Sequence, residues 1–264
     1  MNMSDPSQCT SWKVYQFKLL VTGKGEKLFL DRLCRSICNR MAQTGRGSCA
    51  FLPPEKIGQL TPRTSTKRLQ KMPGQRMRIP SRDEDAALLA LGFLKQGGDF
   101  VLLIDDLEAA RKASAEAVHS RYREALDHVL PVELRYRASV HFLVNMVEAY
   151  YFADAKAINA VMKTNWTDYE GDVETIDHPK RELKAKLKAF DEVEDGEKIM
   201  RCLDVPHVLS RPDTCASLRS LFGWCWRALR LPPGTDYQLE KGCYFDVTRS
   251  QIDRLPAVNG SHEE

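Results

Sequence analysis

The chain has 264 residues, of which 43% are hydrophobic, and its formal net charge is +3. This composition excludes disorder throughout and suits one large domain or two small ones with a buried core. No apolar run approaches the roughly 18 residues of a membrane span, and the N-terminus has no basic start or apolar signal region. We therefore expect a cytoplasmic protein.

The first 165 residues alternate between β-rich runs and segments with helical periodicity. In chain order the predicted elements are a strand at 14–21, a helix at 26–33, a strand at 48–52, a helix after Ser81 with its apolar face at 86–94, a strand at 100–104, a helix at 109–129, a strand at 138–143 and a helix at 146–162. This alternation favours a doubly wound α/β fold with a mainly parallel, four-stranded sheet covered on both faces.

The last third of the chain is predicted to be helical. Its helices are expected at 179–189, 197–203 and 214–229, and no convincing strand precedes Cys243-Tyr244-Phe245. We expect this part to pack on the α/β unit. The predicted organisation is an N-terminal arm at 1–12, an α/β core at 13–165, a helical extension at 166–258 and a tail at 259–264.

Eight cysteines are scattered along the chain without a Cys-x-x-Cys pair or a histidine at zinc-ligand spacing. We expect free thiols in a reducing compartment. Cys34 and Cys38 lie one helical turn apart, which fits a packed helix face better than a metal or redox pair.

Residues 55–82 are predicted to form a long basic surface excursion, because glycines and prolines interrupt them and large apolar side chains are few. Between Gly45 and Arg82, nine Lys or Arg residues face one acid, Glu55. This charge could follow a phosphate backbone, whereas the absence of interleaved aromatic residues argues against base stacking. The candidate nucleic-acid contacts are Arg63, Lys67, Arg68, Lys71, Arg76 and Arg78. The alternative is a solvated loop.

Three carboxylates follow the third predicted strand, at Asp105, Asp106 and Glu108. Clustered carboxylates repel one another unless a cation, a basic side chain or open water relieves them. Their hard oxygen ligands suit Mg²⁺ or Mn²⁺ at the carboxyl edge of a parallel sheet. Two alternatives stay open: the acids favour the N-terminus of the next helix, or Arg111 compensates their charge.

The order strand, glycine turn, glutamate-bearing helix and later acidic strand end resembles the TOPRIM domain of primases, topoisomerases and overcoming-lysogenization-defect-type nucleases. The run VHFLVNMVEAYYFAD at 140–154, with His178-Pro179-Lys180 downstream, is similar to an uncharacterised bacterial family of TOPRIM-related proteins known only as a domain of unknown function. This resemblance covers about residues 14 to 230 and is most specific in the EAYYFAD stretch.

In TOPRIM enzymes a glutamate before the first-turn glycine acts in acid/base work, and an Asp-x-Asp pair holds Mg²⁺. Here Thr22 occupies the glutamate position and cannot act as a base at neutral pH, so Glu26 is the nearest acid. The Asp-x-Asp pair is matched only as Asp106-Leu107-Glu108, or by Asp105 with its neighbour.

The resemblance implies an Mg²⁺-dependent phosphodiester-cleaving protein that acts on nucleic acid, with an AAA or ABC-type ATPase as partner in a phage-defence or mobile-element setting. In this interpretation Glu26 is catalytic and Glu148 is an additional ligand, unless it pairs with an arginine. The alternative is a catalytically silent binding subunit that keeps the fold. His141 and His207 are expected to be structural.

Overall fold

The computed structural model describes residues 12–60, 82–145 and 147–231. Its strands are β1 at Lys13–Val21, β2 at Gly47–Phe51, β3 at Glu55–Lys56, β4 at Phe100–Leu107 and β5 at Ala138–Val144. They form a sheet in the order β2-β1-β4-β5, in which β3 also pairs with β1. Every described pairing is parallel, which confirms the doubly wound α/β prediction and adds the short β3 to it.

A one-residue register shift separates β2 from β3 along the same edge of β1. Phe17 pairs with Phe51, whereas Leu20 pairs with Glu55, so the partner strand gains one residue across Pro53-Pro54. Prolines have no N–H group for a ladder hydrogen bond, which accounts for the interruption there.

The first residues of the predicted basic excursion therefore belong to the sheet and its core. Ile57 and Leu60 are buried, because β3 pairing brings the chain back against β1. At the other end, Arg82 begins a helix. The six candidate nucleic-acid contacts at 63, 67, 68, 71, 76 and 78 lie outside the described residues, as do Ser81, Cys9 and the segment at 243–245.

Nine α-helices are found in the described part of the chain. They are α1 at Lys24–Leu33, α2 at Arg35–Gln43, α3 at Arg82–Lys95, α4 at Ala115–Val129, α5 at Ala155–Met162, α6 at Pro179–Lys186, α7 at Glu194–Cys202, α8 at Val205–Ser210 and α9 at Ala216–Ala228. Shorter 3-10 helices lie at Ala109–Ser114, Val132–Arg137, Val147–Ala153 and Val173–Thr175.

Two apolar layers cover the sheet. In β4, Val101 and Leu103 pack with α3 and α4, whereas Leu102 and Ile104 pack with α1, α2 and the helices of the last third. Burial on both faces explains why this strand is a continuous apolar run. The helices after residue 165 therefore share one core with the sheet.

Two predicted helices differ from the structure. The segment at 109–129 opens as a 3-10 helix before α4 begins at Ala115, and the segment at 146–162 divides at Asp154. The prediction that Glu148 and Asp154 share one helix was wrong, because Glu148 lies in the 3-10 helix, and Asp154, whose backbone is not helical, separates that helix from α5.

The described residues also bear on the membrane and cysteine predictions. No helix there has the length and apolar character to cross a membrane. The cysteines at 34, 38, 49, 202, 215 and 225 are free thiols.

Candidate functional site

Two of the three predicted metal-binding acids, Asp105 and Asp106, lie within β4 at the carboxyl edge of the sheet and not after the strand. Asp105 and Asp106 are paired with Phe142 and Leu143 of β5. Both acids are buried, whereas Glu108, the first residue after the strand, is exposed. Pairing with β5 thus carries the strand three residues beyond the predicted end and turns two predicted edge acids into strand residues.

Four polar groups from three segments surround the carboxylate of Asp105. Arg111 Nη1 donates to Oδ1 at 3.0 Å and Arg111 Nη2 donates to Oδ2 at 2.8 Å. Thr22 Oγ1 donates to Oδ1 at 2.7 Å, and Gln59 Nε2 lies 3.3 Å from the same oxygen. Because Asp105 is fully buried, this two-point guanidinium contact is the charge compensation that its burial requires.

Arg111 is held in place by backbone oxygens as well as by Asp105. Its Nη2 donates to Leu60 O at 2.6 Å, and its Nη1 donates to Asp106 O. Burial by itself would lower the pKa of Arg111, but the hydrogen bond to Asp105 and the charge of that carboxylate outweigh it, so the pKa is raised. The guanidinium is therefore a permanent cation at this edge.

Thr22, at the predicted glutamate position, bridges the two central strands. Its hydroxyl accepts a hydrogen bond from Asp106 N at 3.1 Å and donates its own proton to Asp105. A glutamate here would bring a second negative charge against Asp105. The geometry at this position therefore suits a small, uncharged side chain that donates a hydrogen bond.

The predicted Mg²⁺ or Mn²⁺ ligands are Asp105, Asp106 and Glu108, and the carboxylate of Asp105 is already paired with Arg111. A divalent ion that used Asp105 would have to compete with Arg111 for both carboxylate oxygens. Asp105 therefore does not fit the role of a metal ligand while Arg111 stays in place. The backbone of Glu26 lies in the first turns of α1, and metal binding at this edge stays a prediction.

The side chain of Glu148 lies beside Gly25, in the first turn of α1. Its Oε1 is 3.8 Å from the position that a Cβ atom on Gly25 would take, and its side chain is buried. Burial raises the pKa of Glu148 and Glu192 adds to the rise, whereas Lys180 and Lys184 oppose it. Among the described residues no arginine forms an ion pair with this carboxylate.

A second group of ligand-type side chains lies among the helices of the last third. Atoms of Asp154, Asp168 and His207 all lie within 4.8 Å of one another, so the group could hold a metal ion. His207 Nε2 is 2.7 Å from Asp168 Oδ2, and Asp154 is buried. This contact engages one nitrogen of the imidazole and one oxygen of Asp168.

Backbone amides fix the two acids of this group. Ala155 N donates to Asp168 Oδ1 at 2.8 Å, and Asp204 N donates to Asp154 Oδ2 at 2.8 Å. Burial would raise the pKa of Asp168, but the amide of Ala155 and the side chain of His207 outweigh it, and the pKa is lowered. Asp168 is thus ionised and available as a ligand.

The sequence prediction missed this group and assigned His207 a structural role. The three residues lie in three separate segments, and no local motif links them. Packing of α5, α8 and the intervening loop brings them together, and that packing has no signature in residue spacing.

The predicted core role of His141 agrees with its environment. It is fully buried in β5, and its Nε2 is 2.8 Å from Ser139 Oγ. Burial lowers the pKa of His141 to about 3, with a contribution from His119, so the imidazole is neutral at physiological pH.

These features define an α/β protein with a parallel sheet whose carboxyl edge holds a buried carboxylate–guanidinium pair. The chain belongs to the family described as Domain of unknown function (DUF4276), whose model matches residues 21–223. The match extends from the end of β1 into α9. Searches of curated proteins and of solved structures each found no match.

Proposed function

We propose that this protein is a nucleic-acid-associated binding subunit of the TOPRIM type, in which Arg111 stands where a catalytic metal would act. The observation that carries the proposal is the two-point contact of Arg111 with the buried carboxylate of Asp105. In this proposal the carboxylate that would hold the metal is neutralised by a cation of the same chain.

Two further features support the absence of catalytic activity at this edge of the sheet. Thr22 is a hydrogen-bond donor to Asp105 and has no capacity to act as a base near neutral pH. Mg²⁺ demands near-ideal octahedral oxygen ligands and keeps several waters, so a carboxylate enclosed by Arg111, Thr22 and Gln59 is a poor ligand for it.

The proposed partners are nucleic acid and an AAA or ABC-type ATPase. The nine basic residues against one acid between Gly45 and Arg82 supply the charge for phosphate contacts, which carry no sequence information. The ATPase partner rests on the TOPRIM resemblance alone.

The test compares Asp168→Asn, which removes a ligand of the second metal-capable group, with Asp168→Asn combined with Arg111→Gln. We expect millimolar Mg²⁺ to leave the melting temperature of the first protein unchanged and to raise that of the second. The reason is that Asp105 then lacks its internal cation and a bound ion stabilises the folded state. Thermal melts with and without metal measure this.

The wild-type protein, these two variants and Asp105→Asn are assayed for binding and cleavage of plasmid and single-stranded DNA. We expect salt-dependent binding by the wild-type protein without Mg²⁺-dependent cleavage, alone or with a neighbouring ATPase. Wild-type cleavage that Asp105→Asn abolishes would refute the silent-subunit proposal.

The second candidate function is Mg²⁺- or Mn²⁺-dependent phosphodiester cleavage at the same edge. The observation that favours it is Glu148, a buried carboxyl group with a raised pKa beside the first glycine turn, where acid/base chemistry would be needed. In this function Asp105, Asp106 and Glu108 would hold the metal after Arg111 withdraws. Cleavage that Glu148→Gln reduces, with DNA binding unchanged, would favour this candidate.

For the group of Asp154, Asp168 and His207 we propose Mn²⁺ over Mg²⁺, because an imidazole ligand suits a transition metal better. We expect calorimetry to detect Mn²⁺ binding that Asp168→Asn abolishes, because the variant lacks one of the three ligands. The matched control is His128→Gln, an exposed histidine on α4. Equal Mn²⁺ affinity in wild type and Asp168→Asn would exclude this site.

A further inference from the structure

An arginine-rich cleft of about 380 Å³ lies between α2 and the junction of α7 with α8. Its basic side chains are Arg32, Arg35, Arg40 and Arg201, and its one acidic side chain is Asp204. The cleft volume is in the range of small-molecule binding sites.

One wall of the cleft is made entirely of hydrogen-bond donors and neutral amides. The α2 sequence RSICNRMAQ has no acidic residue, and its polar side chains repeat at helical spacing on the cleft side. Positions three and four apart in a helix lie on the same face, so Arg35 and Asn39 form one row and Ser36 and Arg40 another.

The charges of the cleft are only partly compensated. Glu197 pairs with Arg32 at 2.7 Å and with Arg201 at 2.6 Å. The carboxylate of Asp204 accepts a hydrogen bond from His207 N at the start of α8. Glu197 and Asp204 on the α7–α8 wall therefore already have hydrogen-bond or ion-pair partners.

Arg35 and Arg40 have no such partner. Within the described residues neither arginine forms an ion pair, and Arg40 contacts only the amide oxygen of Gln43, at 3.4 Å. The Nε atom of Arg40 is buried without a hydrogen-bond acceptor. A buried guanidinium donor that lacks an acceptor costs free energy unless a ligand supplies one.

We propose that this cleft binds a phosphate-bearing ligand of nucleotide size, with Arg35 and Arg40 as the phosphate contacts. Guanidinium groups bind phosphate oxygens through paired, charge-assisted hydrogen bonds. The ligand is a free nucleotide or the phosphorylated end of a nucleic-acid strand, which share this chemistry. The site lies away from the Asp105–Arg111 pair and does not depend on the proposed function.

The test titrates the whole protein with adenosine 5′-monophosphate, with adenosine, and with short oligonucleotides that carry or lack a 5′-phosphate. We expect the phosphorylated compounds to bind and adenosine not to bind. Arg35→Ser and Arg40→Gln should each raise the dissociation constant about tenfold or more, which is the loss of one charge-assisted contact. The matched control, Arg181→Gln, removes an exposed charge on α6, outside both the cleft and the basic segment, and should have little effect.

Binding of the nucleotide alone identifies a free nucleotide as the ligand, and binding of the phosphorylated oligonucleotide alone identifies a strand end. Either outcome supports the site when the cleft variants lose it. No binding of any phosphorylated compound, equal binding of adenosine, or equal losses in Arg181→Gln and the cleft variants would overturn the proposal. Because Arg35 is exposed, its substitution should leave the melting temperature unchanged, which checks folding.

Discussion

Arg111→Met is expected to lower the free energy of unfolding by about 3 to 5 kcal/mol near neutral pH, because it leaves the carboxylate of Asp105 buried without its cation. Combining it with Asp105→Asn should recover much of the loss, since the pair is then neutral. Urea denaturation of the wild-type protein, the two single variants and the double variant measures both effects as a double-mutant cycle.

The control for this cycle is Lys13→Met, which breaks a surface ion pair between Lys13 and Asp99 at 3.0 Å. More than half of the Lys13 side chain is exposed, so we expect a loss below about 1 kcal/mol. A loss of similar size at Lys13 and Arg111, or no recovery in the double variant, would mean that Arg111 does not compensate Asp105.

Glu174 is expected to make the protein less stable as the pH rises from about 4.5 to about 7. The carboxyl group is fully buried at the start of α9, where it accepts hydrogen bonds from Ser217 N at 3.0 Å and from Tyr150 OH at 3.3 Å. Burial raises the pKa of Glu174 to about 7, which the charge of Asp172 reinforces and the hydrogen bonds from Ser217 oppose.

The direction of the pH effect follows from the two protonation states. The folded protein binds the proton of Glu174 more tightly than the unfolded chain does, so this stabilisation is complete below the unfolded pKa near 4.5. It is lost as the pH rises through the folded pKa of about 7. The loss is on the order of 3 kcal/mol, at about 1.4 kcal/mol for each pH unit between the two values.

Glu174→Gln should remove this part of the pH dependence, because glutamine does not titrate and can still accept the amide of Ser217. Unfolding free energies across this pH interval should therefore fall less steeply in the variant than in the wild type. Glu133→Gln, at an exposed position, should keep the wild-type slope. An unchanged slope in Glu174→Gln would show that Glu174 does not titrate in this range.

The four longer strands could be predicted from the sequence because each contains a β-rich or apolar run of strand length, whereas the two-residue β3 has no such run. The end of β4 could not, since pairing of Asp105 and Asp106 with β5 depends on a strand more than thirty positions later. For the same reason the sequence left metal and Arg111 as alternatives for the charge on Asp105. These two alternatives are distinguished only by where the 3-10 helix that carries Arg111 lies relative to β4.

The other candidate residues show the same limit. Glu148 and Glu174 are acids that lie within apolar stretches or beside them, and their burial depends on which helices cover them. The sequence identified Glu148 through a family resemblance and did not identify Glu174. Asp168 and His207 lie 39 positions apart in segments without a motif, so only tertiary packing reveals their contact.

The register shift between β2 and β3 makes the buried ion pair part of an energetic linkage. It delivers Gln59 and Leu60 to the sheet edge, where Arg111 binds Leu60 O and Gln59 contacts Asp105. Residue 61, where the basic segment continues, is therefore covalently attached to a residue that the ion pair holds. If a ligand of that segment displaces Leu60, its binding and the hydrogen bond between Arg111 and Leu60 O exclude each other, so each opposes the other by the same coupling free energy.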